Sequence, residues 1–164
     1  MNPVGELLQL DDIALDLEVA NASALVQKIA GMLARRGRLA EAEVLSSLKI
    51  REELGSTALG HGIAIPHARM ADCGAAAGAF VRTRFGIPFN APDGRPVSVF
   101  LGLIVPKQAN ERHLKLLATA AGMFSERSFR DKVRACVDPA QALELLAAWP
   151  DSPTTSQPVS EANS

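Results

Sequence analysis

The residues best suited to group-transfer chemistry lie around His67. A neutral imidazole nitrogen is a nucleophile, so this histidine is the candidate acceptor of a phosphoryl group. The preceding string GSTALGHG, residues 55–62, contains glycines such as Gly62 that allow successive backbone amides to point at an anion. Ser56 and Thr57 add hydroxyl donors in the same string. The pattern predicts a histidine beside a phosphate-binding loop.

Two arginines flank this segment. Arg51 lies one helical turn before the loop, and Arg69 lies two residues past His67. A guanidinium forms strong, charge-assisted hydrogen bonds with phosphoryl oxygens, so both are candidate phosphate-binding residues. Each residue also has a plain structural interpretation: a surface histidine, turn-forming glycines and solvated arginines.

A metal centre is the competing interpretation. His61, His67 and His113 are the chain's histidines, and three imidazoles are enough for a zinc site with an open position. Their spacing matches no HExxH arrangement, and no GxxxxGK[ST] phosphate loop is present. We therefore expect no metal and no nucleotide cofactor.

Composition limits the class of protein. The chain has 164 residues, with 17 basic and 18 acidic side chains, and this balance lacks the basic excess of a nucleic-acid-binding protein. The longest strongly apolar run, 97–105, is far shorter than the ~20 residues of a membrane helix. No secretory signal pattern opens the sequence, which predicts a cytoplasmic protein that is not embedded in a membrane, with Cys73 and Cys136 reduced.

Hydrophobic periodicity predicts alternating strands and helices. Gly37 is expected to provide a left-handed cap, Pro66 to end a strand, and Asp138 with Gln141 to form a capping box. The predicted strands are 13–19, 63–65, 79–85 and 97–105, and the predicted helices are 22–36, 40–54, 111–124, 128–134 and 139–149.

This mixture of elements predicts an α/β fold. We expect a single-domain α/β/α sandwich, in which a mixed sheet of about five strands is flanked by helices. The domain should span residues 1–150. Residues 151–164 are rich in Pro, Ser and Thr and are predicted to form a disordered C-terminal tail.

The string GSTALGHGIAIPHAR, residues 55–69, resembles the phosphorylation site of a known family. It follows Arg51-Glu52-Glu53-Leu54, and the combination is similar to the IIA domains of the fructose and mannitol class of the bacterial phosphotransferase system. Within that family it resembles the nitrogen-regulatory members most. The resemblance extends from the first strand to Trp149, and the motif GIAIPHxR is specific.

The resemblance implies roles for three residues. His67 would be phosphorylated on Nε2, His113 would be the second active-site histidine, and Arg51 would be the arginine upstream of the loop. The phosphoryl donor would be a small histidine phosphocarrier protein, itself charged from phosphoenolpyruvate through Enzyme I. Ala68 stands where relatives often have glycine, which is a small departure.

Three functions remain open at this point. One is a regulatory phosphocarrier of the nitrogen-related system, acting on target proteins such as kinases or transporters through its phosphorylation state. A second is a sugar-transport component that passes the phosphoryl group to a separate IIB domain. A zinc hydrolase is the third. The absence of a fused IIB or membrane domain favours regulation, through a phosphohistidine intermediate rather than as a turnover enzyme.

Overall fold

A computed structural model describes residues 1–108 and 110–150 of the chain. The predicted tail, 151–164, lies outside the described residues. The strands are β1 (Ile13–Leu17), β2 (Ala58–Gly60), β3 (Ile63–Ala64), β4 (His67–Met70), β5 (Ala77–Ile87) and β6 (Val97–Pro106). The helices are α1 (Pro3–Leu7), α2 (Ala22–Gly37), α3 (Glu41–Leu54), α4 (Glu111–Ser125), α5 (Arg127–Ala135) and α6 (Pro139–Ala148), with a 3₁₀ turn at Leu10–Asp12.

The strands form a mixed sheet in the order β1-β5-β6-β3-β2. β5 and β6 are antiparallel, whereas β3 and β4 both run parallel to β6, one after the other along its length. β6 is therefore the central strand to which the segment containing His67 is hydrogen-bonded. Its near-continuous apolar sequence fits this position, because both of its faces are covered.

Two helical layers cover the sheet. α2 and α3 pack on one face, where a core includes Leu25, Ile29 and Phe100. α1, α4, α5 and α6 enclose a second core on the other face, around Phe80, Leu103 and Met123. The predicted α/β/α sandwich is confirmed.

The sheet has six strands within the described residues rather than about five. The sequence prediction missed β2 and β4, which lie on either side of β3 in the glycine- and proline-rich segment. Pro66 has no N–H to donate and interrupts the ladder as predicted, but its carbonyl accepts from Leu103 N at 2.9 Å. The chain therefore stays against β6 and begins β4 at His67.

Two predicted helix caps differ in detail. The left-handed residue that ends α2 is Arg38, with φ 56° and ψ 48°, rather than Gly37, because the helix continues one residue further than expected. At α6, Asp138 caps Gln141 N as predicted. The Gln141 side chain, however, accepts from Val137 N at 2.8 Å, one residue before the position that a capping box requires.

Candidate functional site

His67 is the first residue of β4, opposite Leu103 of β6. Ala68 and Met70 point into the core under α2 and α3. Because side chains alternate along a strand, His67 and Arg69 face the opposite side, where His67 is half-buried and Arg69 is exposed. The strand thus presents an imidazole and a guanidinium on one face.

A backbone carbonyl fixes the orientation of the His67 ring. Nδ1 lies 2.8 Å from Ile65 O. A carbonyl oxygen only accepts, so Nδ1 carries the hydrogen and, in the neutral ring, Nε2 keeps its lone pair. Pro66 restricts the backbone of Ile65 just before it, which holds the accepting carbonyl in place. The site therefore presents Nε2 as the nucleophilic atom.

The surroundings of His67 favour the neutral ring. Burial lowers the pKa of His67, and the positive charges of Arg51 and Arg69 lower it further. The hydrogen bond to Ile65 and the charge of Glu52 raise the pKa, but the net direction is downward from 6.5. The imidazole is thus kept unprotonated and nucleophilic at neutral pH.

The loop after α3 is tied to this histidine. Arg51 Nη1 donates to Gly55 O at 2.8 Å, which satisfies a carbonyl beyond the last turn of the helix. The loop then meets the sheet where Ile65 N donates to Thr57 O at 3.0 Å. Ile65, whose carbonyl orients the His67 ring, is therefore hydrogen-bonded to the loop as well.

Glu52 is a site residue to which the sequence analysis assigned no role. Its carboxylate accepts from Thr57 N at 2.8 Å and from Thr57 Oγ1 at 2.7 Å. A carboxylate next to an arginine is an ordinary surface pattern, so only the bond to a threonine five residues later would have revealed it. Glu52 positions the loop and also acts on the charge of His67.

Both loop hydroxyls already donate to protein acceptors. Thr57 is buried and bonded to Glu52, while Ser56 Oγ donates to Phe89 O at 3.0 Å and accepts from Ala58 N at 3.1 Å. Ser56 and Thr57 are thus in the loop next to His67, as expected. Their hydroxyl hydrogens hold the loop in this conformation instead of pointing at an open anion site.

Gly62 is not part of this cluster. Its carbonyl accepts from Ser98 N at 3.0 Å, whereas His67 is opposite Leu103, which places the two roughly 16 Å apart along β6 at about 3.3 Å per residue. Gly62 has φ +80°, and a Cβ there would lie 2.8 Å from Arg134 Nη2. The glycine is needed for this turn and for the approach of Arg134.

His113 lies in the first turn of α4. Its Nδ1 accepts from Asn110 N at 3.2 Å, so Nε2 carries the hydrogen in the neutral ring. The ring lines a cavity of about 540 Å³ with residues of α1, including Pro3 and Glu6, and His67 is not on that wall. Among the described residues, no hydrogen bond joins the two histidines.

The histidines are not gathered at one point. His61 is exposed in the turn beside Gly62, with φ +58°, far along β6 from His67. In residues 1–108 and 110–150, no group of three or more His, Cys, Asp or Glu side chains is arranged to hold a metal ion. No helix in the same residues is long and apolar enough to cross a membrane.

The fold and site define a class: an α/β/α domain that exposes one oriented, neutral histidine beside a loop. The chain belongs to the family described as phosphoenolpyruvate-dependent sugar phosphotransferase system, EIIA 2, whose model matches residues 6–149. The family suggested by GIAIPHxR is thereby confirmed.

Individual relatives refine this placement. The chain is 38% identical over 111 residues to a nitrogen regulatory protein from Pseudomonas aeruginosa, covering 67% of this chain and 72% of the relative. It is 34% identical over 148 residues to one from Bradyrhizobium diazoefficiens, covering 90% and 96%. The crystal structure of the nitrogen regulatory protein IIA-Ntr from Neisseria meningitidis superposes with a TM-score of 0.84 at 42% identity, covering 87% of this chain and 98% of that one.

Proposed function

We propose that this protein is a cytoplasmic regulatory phosphocarrier of the nitrogen-related phosphotransferase system. His67 accepts a phosphoryl group from a small histidine phosphocarrier protein, ultimately from phosphoenolpyruvate, and the modified protein regulates targets such as kinases or transporters. The observation that carries the proposal is the bond from His67 Nδ1 to Ile65 O, together with the lowered pKa of the ring.

The transfer is a displacement at phosphorus. His67 Nε2 attacks as the phosphorus–nitrogen bond to the donor imidazole breaks, and the donor leaves with that electron pair. Nδ1 keeps its hydrogen, and the Ile65 carbonyl stabilises the positive charge that develops on the ring. Positioning and electrostatic stabilisation suffice for such a transfer.

Arg51 and Arg69 supply positive charge near the reacting nitrogen, since both already act on the pKa of His67. The Nε2–H of His113 is of the right type to donate to a phosphoryl oxygen. The bond from Asn110 N to His113 Nδ1 leaves this Nε2–H free to donate.

Similarity favours regulation over sugar transport. Two relatives are named nitrogen regulatory protein. The one from Pseudomonas aeruginosa is covered over 72% of its length and aligns with 67% of this chain, and the one from Bradyrhizobium diazoefficiens is covered over 96% and aligns with 90%. The fructose-specific relatives are less similar to this chain than these two. An EIIABC component from Bacillus subtilis is 28% identical and an EIIA component from Haloferax volcanii, covered over 85% of its length, is 27% identical, each over 131 residues. The likeness to a mannitol IIA in complex with phosphorylated IIB, at 19% identity, concerns the fold alone.

A reconstituted relay tests the proposal. The full chain is incubated with phosphoenolpyruvate, Enzyme I and the phosphocarrier, and its intact mass is measured. We expect one phosphoryl group on wild type, none on His67→Ala, and one on the matched control His61→Ala. His113→Ala should accept more slowly.

Two further outcomes would contradict the proposal. A phosphoryl group on His67→Ala, or a label that survives acid, would place the modification on another residue. Rapid onward transfer from the phosphorylated chain to an added IIB domain would support the transport function instead.

A further inference from the structure

A second cluster of charge lies near the start of β6, several residues along that strand from the position opposite His67. One face of α5 carries Arg127, Arg130, Asp131 and Arg134, which follow one another at helical spacing. They line a cavity of about 410 Å³ together with the turn at 61–62 and with Arg95, Pro96 and Ser98. Four arginines and one aspartate therefore face one space, in a chain whose formal net charge is −1.

Arg130 is the buried cation of this cluster. The residue is 7% exposed, and its Nη1 donates to Phe124 O at 3.0 Å, near the end of α4. Within the described ranges, no carboxylate lies at ion-pair distance from it. A buried guanidinium is costly unless its charge is compensated, so its place on a cavity wall calls for an anion.

Arg134, the next cation along α5, is also held in place by a backbone group. Arg134 donates from Nη2 to His61 O, and Gly62 leaves room for this approach. Burial and the charge of Arg130 lower the pKa of Arg134, the direction that crowded cations produce. The guanidiniums of Arg130 and Arg134 are therefore held in place before any ligand binds, which reduces the entropy lost on binding, whereas Arg127 is exposed.

Few carboxylates neutralise this cavity. Asp131 is 3.9 Å from Arg127 in an exposed pair that contributes little. Asp93, in the adjoining turn, accepts backbone N–H bonds from His61 at 2.9 Å and from Arg95 at 3.0 Å. Hydrogen bonding commits that carboxylate to the turn. In the described part of the chain, no carboxylate lies at ion-pair distance from the guanidinium of Arg95 on the cavity wall.

We propose that this cavity binds a small phosphate-bearing anion, such as pyrophosphate or a phosphate monoester, at a site separate from His67. Arginine forks bind phosphate oxygens in pairs, which four guanidiniums around one space permit. The cavity is in the size range of small-molecule sites, about 300–1,000 Å³. Apart from the imidazole of His61, its described lining has no aromatic ring on which a base could stack, which disfavours a nucleic acid.

Titration of the unphosphorylated full chain with inorganic pyrophosphate tests this site. Calorimetry gives the Kd, and amide NMR shifts locate the ligand, at about 50 mM salt, where charges are weakly screened. We expect shifts at residues 61–62, 95–98 and α5. Arg95→Gln and Arg127→Gln should each weaken binding about five- to tenfold.

Three variants separate specific binding from a general charge effect. Asp131→Asn should tighten binding severalfold because it removes the carboxylate from the cavity wall. Arg84→Gln changes an exposed arginine that pairs with Glu18 at 2.8 Å and should leave the Kd unchanged. His67→Ala should also bind like wild type, so failure of the phosphorelay and failure of this site are distinguishable.

The outcomes decide the proposal in either direction. Parallel titrations with inorganic phosphate and glycerol phosphate show whether free phosphate or an organic monoester binds more tightly, and either result supports the site. No binding of any of the three at about 10 mM, equal weakening by Arg84→Gln, or shifts confined to the His67 loop would overturn it. Tighter binding of a short single-stranded oligonucleotide than of pyrophosphate would indicate a nucleic-acid surface instead.

Discussion

At the scale of single residues, the lowered pKa of His67 gives a pH prediction. Burial is its main cause, and the nearby arginines add to it, so the folded protein keeps the ring neutral at pH values below 6.5. We expect the NMR titration midpoint of the His67 ring to lie below 6.5 and the rate of phosphoryl acceptance to persist to the same pH. A midpoint above 6.5 would contradict the electrostatics of the site.

The lowered pKa of His67 also makes the free energy of unfolding depend on pH. As the pH falls, His67 binds a proton near pH 6.5 in the unfolded chain but only at a lower pH in the folded protein. The contribution of His67 to the free energy of unfolding is therefore fully present above pH 6.5 and is lost as pH falls through the folded pKa. His67→Ala should flatten this part of the stability profile, measured by denaturant unfolding at several pH values.

Arg51 lowers the pKa of His67, and we expect its charge to act on the transferred phosphoryl group as well. Arg51→Ala should raise the pKa of His67, because the guanidinium lowers it, and should slow phosphoryl acceptance roughly tenfold or more. The matched control is Lys49→Ala, an exposed cation on the same helix. Equal rates for wild type and Arg51→Ala, by rapid-quench kinetics, would make Arg51 a structural cap that bonds Gly55 O.

The sequence could group the residues at the centre of the candidate site, but not those at its edges. His67, Arg51 and Arg69 could be grouped because a local string carries them, and the structure places their charges within reach of one another. Gly62 belongs to the same string but turns away toward Arg134, since strand register decides which glycine faces which site. The pairing of Glu52 with Thr57 depends on loop geometry that no spacing rule supplies.

At the scale of elements, Asn2 joins the two ends of the described chain. Its Oδ1 accepts from Gly5 N at 2.9 Å and caps α1. Its Nδ2 donates to Leu146 O at 2.8 Å and to Trp149 O at 2.9 Å, which satisfies carbonyls at the end of α6. One fully buried amide thus bonds the termini of two helices.

Asn2→Ala should therefore cost more than the loss of an ordinary cap. We expect the free energy of unfolding to fall by about 2 to 3 kcal/mol, because buried donors and acceptors lose their partners. The control is Asn21→Ala, which removes an exposed cap at α2 and should cost about 1 kcal/mol. Equal melting temperatures for the two variants would refute the bridging role of Asn2.

The elements that the sequence missed are the short ones. α1 has five residues, β2 three and β4 four, too few to show a clear period or to be stable alone. They form because packing completes them: a Cβ at Gly5 would lie 2.7 Å from Ala147 Cα, so α1 depends on α6. The long strands and helices were predicted within one to two residues because each is long enough for its apolar residues to show the spacing of a strand or a helix.

At the scale of the whole molecule, α6 and Trp149 are the last described parts of the chain that pack on the core. Trp149 contacts the core on the face covered by α1, α4, α5 and α6. The composition of residues 151–164 predicts no contribution to it. Deletion of 151–164 should leave the melting temperature and phosphoryl acceptance nearly unchanged, measured by differential scanning fluorimetry and intact mass. A fall of several degrees would show that the segment packs on the domain.

The proposed phosphorylation of His67 would change the charge of the whole molecule more than the removal of any single charged side chain. A phosphoryl group adds about −1.5 to −2 charges, by analogy with other phosphorylated side chains, to a chain of formal net charge −1. His67 stands on a strand already bonded to β6, so the charge can appear without refolding. We expect unchanged far-ultraviolet circular dichroism, a lower isoelectric point, and altered affinity for partners that contact the His67 face.

His67→Ala should keep the affinities of the unmodified protein under phosphorylating conditions. A large change in the dichroism spectrum on phosphorylation would mean that the signal is a conformational change and not the charge itself.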